Sequence, residues 1–229
     1  MAKPVPVLGE RALKVGNALI IADLHIGFEI ELWRQGVRIP FQTSHLVSRV
    51  NELLRKERVK EVIVNGDLKH EIAVSRGRQA IEIEKFVEGI EGNVKVVQGN
   101  HDGGLGMKMY PSEGFLLGNV GIFHGHAYPG EELLRARYWI TAHIHPMFGF
   151  RDTYGRVYKE PCWVVGRVKE EFLERRYGET KKIKVIVMPA FSEIVGGIPV
   201  NLENVGGILS SMLSEPAFFL LDGTEVVFD

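Results

Sequence analysis

The chain has 229 residues, of which 45% are hydrophobic and 25% are charged, as in an ordinary globular protein. Its formal net charge of −1 excludes the overall positive field of many nucleic-acid-binding proteins, so contact with DNA or RNA would need a local patch. We expect one domain over residues 1–229, because single α/β domains reach this length.

The first half of the chain predicts alternating strands and helices. Strands are expected at 18–22, 61–65 and 94–97, and helices at 43–56 and 76–89. Successive strand–helix units predict parallel pairing, with the loops after the strands at one edge of the sheet.

The second half predicts mostly short strands. They are expected at 114–117, 120–123, 138–142, 157–165, 183–188 and 218–228. A short helix is expected at 130–135, and the glycine-rich stretch 194–208 is interpreted as a loop followed by a short helix. No internal repeat or linker interrupts the chain.

The cysteine content and the apolar runs bear on the compartment. Cys162 is the only cysteine, which excludes an internal disulfide, and its apolar surroundings predict a core position. The N-terminal sequence resembles neither a secretion signal nor a transit peptide, and no apolar run approaches the roughly 20 residues of a membrane span. We therefore expect a cytoplasmic protein without membrane contact.

Six of the eight histidines fall in short clusters with Asp, Asn and Gly. In chain order the clusters are D-x-H at 23–25, GD at 66–67, GNHD at 99–102, HGH at 124–126 and H-x-H at 143–145. Residues i and i+2 at a strand end point to the same side, so each x-separated pair can present two ligands to one point.

Carboxylates can bridge two cations, and neutral imidazole suits Mn, Fe, Zn, Co or Ni better than Ca or Mg. A lone Asp after a strand is more often a helix cap, and a lone His is more often a hydrogen-bonded or surface residue. Five such clusters, each at a predicted strand end, instead predict two neighbouring divalent metal ions.

This order of motifs resembles the calcineurin-like metallophosphoesterase superfamily, whose motifs run D-x-H, GD, GNH-D/E, GH and GH-x-H. The runs ADLHIGFEIELWRQGVRIPFQT, GDLKH, HGHAYP and AHIHP further resemble its ligase-associated phosphoesterase (PdeM-like) branch, a relative of the SbcD nucleases. The resemblance implies an α/β fold, a four-layer αββα sandwich of two mixed β-sheets with a binuclear site at one edge.

The resemblance also implies a role for each residue of the motifs. Asp23, His25 and His145 would hold one metal ion, Asn100, His124 and His143 would hold the other, and Asp67 would bridge them. His101 would sit near the leaving group as a general acid, with Asp102 orienting its ring. The superfamily usually ligates through the first residue of its HG pair, but the sequence alone leaves open whether His124 or His126 is the ligand.

Other polar residues are candidates for substrate contact. Arg34 and Arg38 follow the first metal motif closely, and His126 would be free to touch substrate if His124 is the ligand. Many relatives have an acidic residue three positions after the GD aspartate, where this chain has His70, which either contacts substrate or lies exposed in a loop. The stretch 167–184 holds seven basic and four acidic residues and is interpreted as a solvated hairpin or helix.

The predicted function is metal-dependent phosphoester hydrolysis with two divalent ions, Mn first and Fe, Zn, Ni or Co as alternatives. The leading substrate is a phosphodiester in DNA or RNA, and the alternative is a small nucleotide, a cyclic nucleotide or a phosphomonoester. A metal-free, protein-binding scaffold is disfavoured, because all seven ligand positions carry competent side chains. The oligomeric state stays open.

Overall fold

The computed structural model describes residues 2–73 and 77–227. Its first half alternates strands and helices as predicted. The elements are β1 (Val5–Pro6), β2 (Leu13–Val15), β3 (Ala18–Ile21), α1 (Phe28–Arg34), α2 (Thr43–Glu57), β4 (Glu61–Asn65), α3 (Gly77–Gly89) and β5 (Asn93–Val97). Within the described residues they form a five-stranded sheet of order β1-β2-β3-β4-β5. The predicted parallel pairing of β3, β4 and β5 is confirmed, and antiparallel β1 and β2 make the sheet mixed.

The second half contributes a larger mixed sheet. Its elements are β6 (Phe115–Leu117), β7 (Val120–Ile122), a 3-10 helix (Glu131–Arg135), β8 (Tyr138–Thr141), β9 (Pro146–Arg151), β10 (Val157–Val168), α4 (Glu170–Tyr177), β11 (Lys184–Val187), β12 (Ile198–Pro199), α5 (Gly207–Met212), β13 (Leu213–Leu220) and β14 (Glu225–Val226). The strands run in the order β12-β9-β10-β11-β8-β7-β6, with β13 added to β10 and β14 to β13.

The two sheets pack face to face and carry helices on their outer faces. Ile20 and Ile63 of the first sheet pack with Ile140 and Ile186 of the second in one buried cluster. The outer face of the first sheet packs against α2 and α3, and that of the second sheet packs against the 3-10 helix, α4 and α5. This arrangement confirms the predicted four-layer αββα sandwich.

The apolar pattern of α2 explains how a helix covers the first sheet. Leu46, Val50, Leu53 and Leu54 repeat at helical spacing and are all buried against that sheet. None of the helices among the described residues is long and apolar enough to cross a membrane.

Several bounds differ from the prediction. The strand expected at 218–228 is two strands, β13 and β14, and residue 228 lies outside the described residues, as does residue 76 at the start of the expected helix 76–89. Strands β1, β2, β9 and β12 were not predicted, because they are short or contain Pro and Gly. The basic stretch 167–184 contains the eight-residue helix α4, one of the two predicted alternatives.

Candidate metal centre

The five His/Asp clusters meet where five strands end. Three clusters follow the parallel strands β3, β4 and β5, and the other two follow β7 and β8 of the second sheet. Backbone hydrogen bonds join the loops. The N–H of His25 donates to the carbonyl of Asp67 at 2.9 Å, and the N–H of Ala142 donates to the carbonyl of His124 at 2.8 Å. The centre therefore lies at one edge of the sandwich, with ligands from both sheets.

The loops reach this centre through left-handed backbone. Asp23, His25, Asp67, His143 and His145 have φ between 46° and 74°, and they are five of the seven non-glycine residues with positive φ in the described chain. Residues in this region are uncommon, and they cluster at functional sites. The expectation that i and i+2 ligands converge through extended strand geometry is therefore wrong, because both D-x-H and H-x-H lie beyond the strand ends in tight turns.

The first group of ligand atoms comes from Asp23, His25 and His145, and all three lie within 4.8 Å of one another. Asp23 Oδ1 is 3.3 Å from His145 Nε2, and the Nε2 atoms of His25 and His145 are 3.2 Å apart. Asp23 is fully buried, and its Oδ1 has no hydrogen-bond partner in the described structure.

The second group comes from Asp67, His124 and His143, again within 4.8 Å. His124 Nε2 is 3.3 Å from Asp67 Oδ2 and 3.2 Å from the amide oxygen of Asn100. Asp67 also faces the first group, because the same Oδ2 is 3.7 Å from His25 Nε2. One carboxylate oxygen thus lies between the two groups.

Main-chain carbonyls orient two of the imidazoles. His124 Nδ1 donates to the carbonyl of Asn65 at 2.8 Å, and His145 Nδ1 donates to that of Gly196 at 2.9 Å. These bonds leave both Nε2 lone pairs pointing into the centre, as is usual for metal-ligating histidines. There they face carboxylate and amide oxygens, which are also acceptors. A cation resolves this clash of lone pairs, so the residues fit a divalent metal pair.

The same crowding shows in the pKa values of the metal-free chain. Burial alone would lower the pKa of His124, but the hydrogen bond and charge of Asp67 and the charge of Asp23 outweigh it and raise the pKa to about 9. Burial likewise favours a protonated Asp67, yet its contacts with His124 outweigh this and lower its pKa. Burial lowers the pKa of both His25 and His143 to about 4, which keeps them neutral as ligands must be.

His101 lies beside the centre with its ring held by a neighbouring loop. Its Nδ1 donates to the carbonyl of His70, its Nε2 is 3.9 Å from Asp67 Oδ2, and its backbone N–H donates to Asp67 Oδ1 at 2.9 Å. The ring nitrogen that faces the centre is therefore Nε2.

The predicted role of Asp102 in orienting that ring is wrong. The buried Asp102 carboxylate instead accepts the backbone N–H groups of Asp67 and Gly99 at 2.8 Å each and that of Lys69 at 3.2 Å. Burial raises the pKa of this carboxyl despite those bonds. Asp102 ties the loops after β4 and β5 together, and the carbonyl of His70 does the orienting.

His70 stands where many relatives have an acidic residue, and Lys69 precedes it; the sequence does not predict the contacts of either side chain. Lys69 is buried, and its ammonium donates to the carbonyls of Glu71, Ile72 and Ala73. His70 Nε2 is 2.5 Å from the Glu31 carboxylate, and its Nδ1 is 3.4 Å from that of His25. Its side chain is only 16% exposed, so it is not a free loop histidine.

His126 lies next to the second ligand group rather than within it. Its ring centroid is 5.4 Å from that of His124 and 6.1 Å from that of His143. His126 lines a cavity of about 240 Å³ whose other walls include Ile144 and Leu209, and its buried Nδ1 has no hydrogen-bond partner in the described residues. The geometry thus groups His124, and not His126, with the ligand atoms.

The two predicted substrate-binding arginines lie outside the ligand groups. Arg34 ends α1 and forms an ion pair with Glu71 at 2.5 Å, whereas Arg38 is exposed and forms no ion pair within the described chain. Trp33 packs on Phe41 and donates to the carbonyl of Ile39, and Phe28 packs on His70. These aromatic rings pack α1 and its loop in the present structure.

A layered α/β fold with imidazoles and carboxylates converging at its strand ends is typical of a metal-dependent hydrolase. Residues 16–189 match the model of the calcineurin-like phosphoesterase family, and the chain belongs to this family. The protein is accordingly a metal-dependent phosphoesterase, as the order of motifs predicted. No protein of curated function has a significant match to the chain.

The chain is similar to several solved structures, and the first of these shares its fold. The chain is similar to the Pseudomonas putida nuclease MPE, with 21% identity, a TM-score of 0.60 and coverage of 97% of this chain and 98% of that one. It is also similar to Entamoeba histolytica Vps29 complexed with Zn²⁺, at 18% identity, a TM-score of 0.36 and 79% coverage of each chain. A predicted phosphoesterase of Streptococcus pneumoniae TIGR4 shows 15% identity, a TM-score of 0.36 and 91% coverage of each.

Proposed function

We propose that the chain is a binuclear phosphodiesterase that cleaves a polynucleotide, DNA or RNA, with manganese as the native metal. The observation that carries the binuclear centre is the Asp67 carboxylate, whose Oδ2 lies within 3.7 Å of a ligand nitrogen from each group. Asp23, His25 and His145 would hold one ion, and Asn100, His124 and His143 the other. The mixed oxygen and imidazole set suits Mn²⁺ and its transition-metal neighbours.

When bound, the two ions would supply a nucleophile at neutral pH and charge stabilisation for the phosphoryl oxygens. The chain's own residues do the rest. His101 directs Nε2 towards the centre, from which it would donate a proton to the departing oxygen. The carbonyl of His70 keeps Nε2 directed at the centre, because it accepts the hydrogen bond from the other ring nitrogen, Nδ1.

The substrate's organic groups would lie on either side of the scissile phosphate. His126 and the cavity beside it would receive the group nearest the second ligand set, where the partnerless Nδ1 offers a hydrogen bond. Arg34 and Arg38 would contact a polyanionic substrate on the side of the centre where α1 lies. Arg34 is paired with Glu71, so Arg38 would supply the positive charge that no carboxylate of the described chain neutralises. The nuclease activity named for the Pseudomonas putida protein supports the choice of polynucleotide and comes to this chain only within this proposal.

A second candidate is a small nucleotide. The cavity of about 240 Å³ beside His126 favours a small nucleotide. Such a substrate places a single organic group next to its phosphate, and this group needs a cavity and no long groove. Initial rates with Mn²⁺ on single-stranded DNA, duplex DNA, RNA, cyclic dinucleotides and phosphomonoesters separate the candidates. A large preference for a nucleotide-sized substrate would replace the nuclease proposal with this one.

The binuclear assignment is tested by Asp67→Asn. A bridging carboxylate serves both ions, so its loss should lower the metal content from two per chain and abolish turnover of bis-p-nitrophenyl phosphate. Asp222→Asn is the matched control, because this exposed residue of the β13–β14 turn loses the same charge and belongs to neither ligand group. Elemental analysis and initial rates are the measurements. Two tightly bound ions and normal turnover in Asp67→Asn would refute the bridge.

A further inference from the structure

A second cavity lies beside α4, on the outer side of the second sheet. Its volume is about 490 Å³, and it is lined by Tyr128, Lys169, Glu171, Phe172, Arg175, Arg176 and Ser211. We call the five cationic and aromatic members, Tyr128, Lys169, Phe172, Arg175 and Arg176, the α4 patch. Three cations against one carboxylate give this surface a local positive charge in a chain whose net charge is −1.

The cations of the α4 patch are not neutralised by neighbouring acids. Within the described chain, Lys169, Arg175 and Arg176 form no ion pair with a carboxylate. By contrast, Arg49 is paired with Glu10 at 2.6 Å. The Lys169 ammonium donates to the carbonyl of Ser210, a neutral partner that leaves its charge in place. Uncompensated, solvent-facing cations are what a polyanion requires.

Two aromatic rings lie among these charges. The Tyr128 and Phe172 rings are nearly parallel, with an interplanar angle of 26° and centroids 6.1 Å apart. The Arg176 guanidinium lies 4.5 Å from the Tyr128 centroid. Tyr128 is 41% exposed, which is high for so large a ring. Aromatic faces interleaved with arginines are the usual surface for unpaired bases, since every base can stack.

The α4 patch is attached to the metal centre by a short, anchored loop. Tyr128 follows His126 by two residues, so their Cα atoms are at most about 7 Å apart. Tyr177, at the end of α4, donates its hydroxyl to the carbonyl of Pro129 at 2.5 Å, which holds the helix against this loop. Residues of α5 line both cavities, Leu209 the one beside His126 and Ser211 the one beside α4.

From this placement we propose that the α4 patch binds the strand of a single-stranded polynucleotide as it leaves the metal centre. Arg175, Arg176 and Lys169 contact backbone phosphates, and Tyr128 with Phe172 provides the stacking face for a base. This inference rests on the proposed function, and it names the form of the substrate. Because stacking needs an unpaired base, the site selects single strands over duplex.

The test separates charge from stacking in the metal-loaded enzyme. Arg175→Ala with Arg176→Ala should raise the KM for a long single-stranded oligonucleotide about tenfold and flatten the log-log salt dependence of kcat/KM by roughly 1.4 units, at about 0.7 per lost single-strand contact. Tyr128→Ser should raise the KM by a similar factor with an unchanged salt slope, and Tyr128→Phe should restore it.

Lys56→Ala with Lys60→Ala is the matched control. It also removes two exposed positive charges, but near the end of α2, on the opposite outer layer. Its KM and salt slope should equal those of the wild type. A small phosphodiester that fills only the metal site and carries no base should show no KM difference between the wild type and Tyr128→Ser.

The outcomes distinguish this inference from the function on which it rests. If the wild type hydrolyses small phosphodiesters but no polynucleotide, the proposed nuclease function fails. If the wild type cleaves single strands but the two α4 variants keep its KM and slope, the α4 patch is overturned. Equal competition by poly-glutamate and by an oligonucleotide of matched charge would also overturn it, since an acidic peptide cannot stack.

Discussion

Gly99 provides a sharp test of the loop geometry around Asp67. A Cβ built on Gly99 would lie 2.2 Å from Oδ1 and 2.3 Å from the backbone N of Asp67, against 3.4–4 Å for an ordinary contact. Neither neighbour can retreat freely, because Asp102 Oδ2 accepts hydrogen bonds from both Gly99 N–H and Asp67 N–H at 2.8 Å. In Gly99→Ala, Asp67 must therefore move by about 1 Å or more for the methyl to fit.

The cost of this movement falls on both stability and activity. Overpacking of a dense site costs about 1–3 kcal/mol of unfolding free energy. A displacement of about 1 Å at a catalytic centre can cost roughly 10²-fold in rate. We expect Gly99→Ala to lose metal and at least that much turnover while it still folds. Thermal unfolding, elemental analysis and initial rates on bis-p-nitrophenyl phosphate measure the three effects.

Gly103→Ala is the matched control in the same loop. A Cβ there meets nothing within 4 Å, so this variant should keep its metals, its turnover and its melting temperature. If Gly99→Ala bound two metal ions and turned over within about twofold of the wild type, the close packing of Gly99 on Asp67 would be wrong, and the inferred bridge would lose its geometric support.

Three further predictions follow from single residues. His101→Gln should slow esters with alkyl leaving groups by about 10²–10⁴-fold and p-nitrophenyl esters far less, and equal losses in initial rate with metals still bound would contradict its role as an acid. Because His124, with its pKa of about 9, must lose its proton to ligate, metal binding should release at least one proton per chain well below that pH. Binding should also tighten as the pH rises towards 9. Calorimetry in buffers of different ionisation enthalpy measures that release, and its absence would count against His124 as a ligand. Cys162 is fully buried, with its pKa raised by burial to about 12, so it should react with thiol reagents only after unfolding, and fast labelling of the folded protein would refute its position.

The sequence predicted those features that depend on periodicity and on motif order. The apolar spacing of α2 and the succession of strands and helices predicted parallel pairing with the motifs at the strand ends, and the resemblance to the superfamily implied the layered fold. The roles of Asp102 and His70 could not be predicted in this way. They depend on which backbone groups point towards the centre in loops with left-handed residues, and the amino-acid sequence does not show which residues adopt that conformation. The α4 patch was visible only as a basic stretch, because the aromatic partner Tyr128 lies some 40 residues earlier in the chain.

The centre also explains why these loops tolerate unfavourable backbone. Five left-handed residues cost free energy in the metal-free chain, and so does the desolvation of the buried Asp23 and Asp67 carboxylates. Under the proposed function, two divalent cations would offset these costs together, since they attract every inward-facing atom. Binding would then stabilise the fold by an amount that grows with the logarithm of free metal concentration. The strand ends are thus arranged for the ligands of the centre at the expense of local stability, while the apolar layers on either side keep the metal-free chain folded.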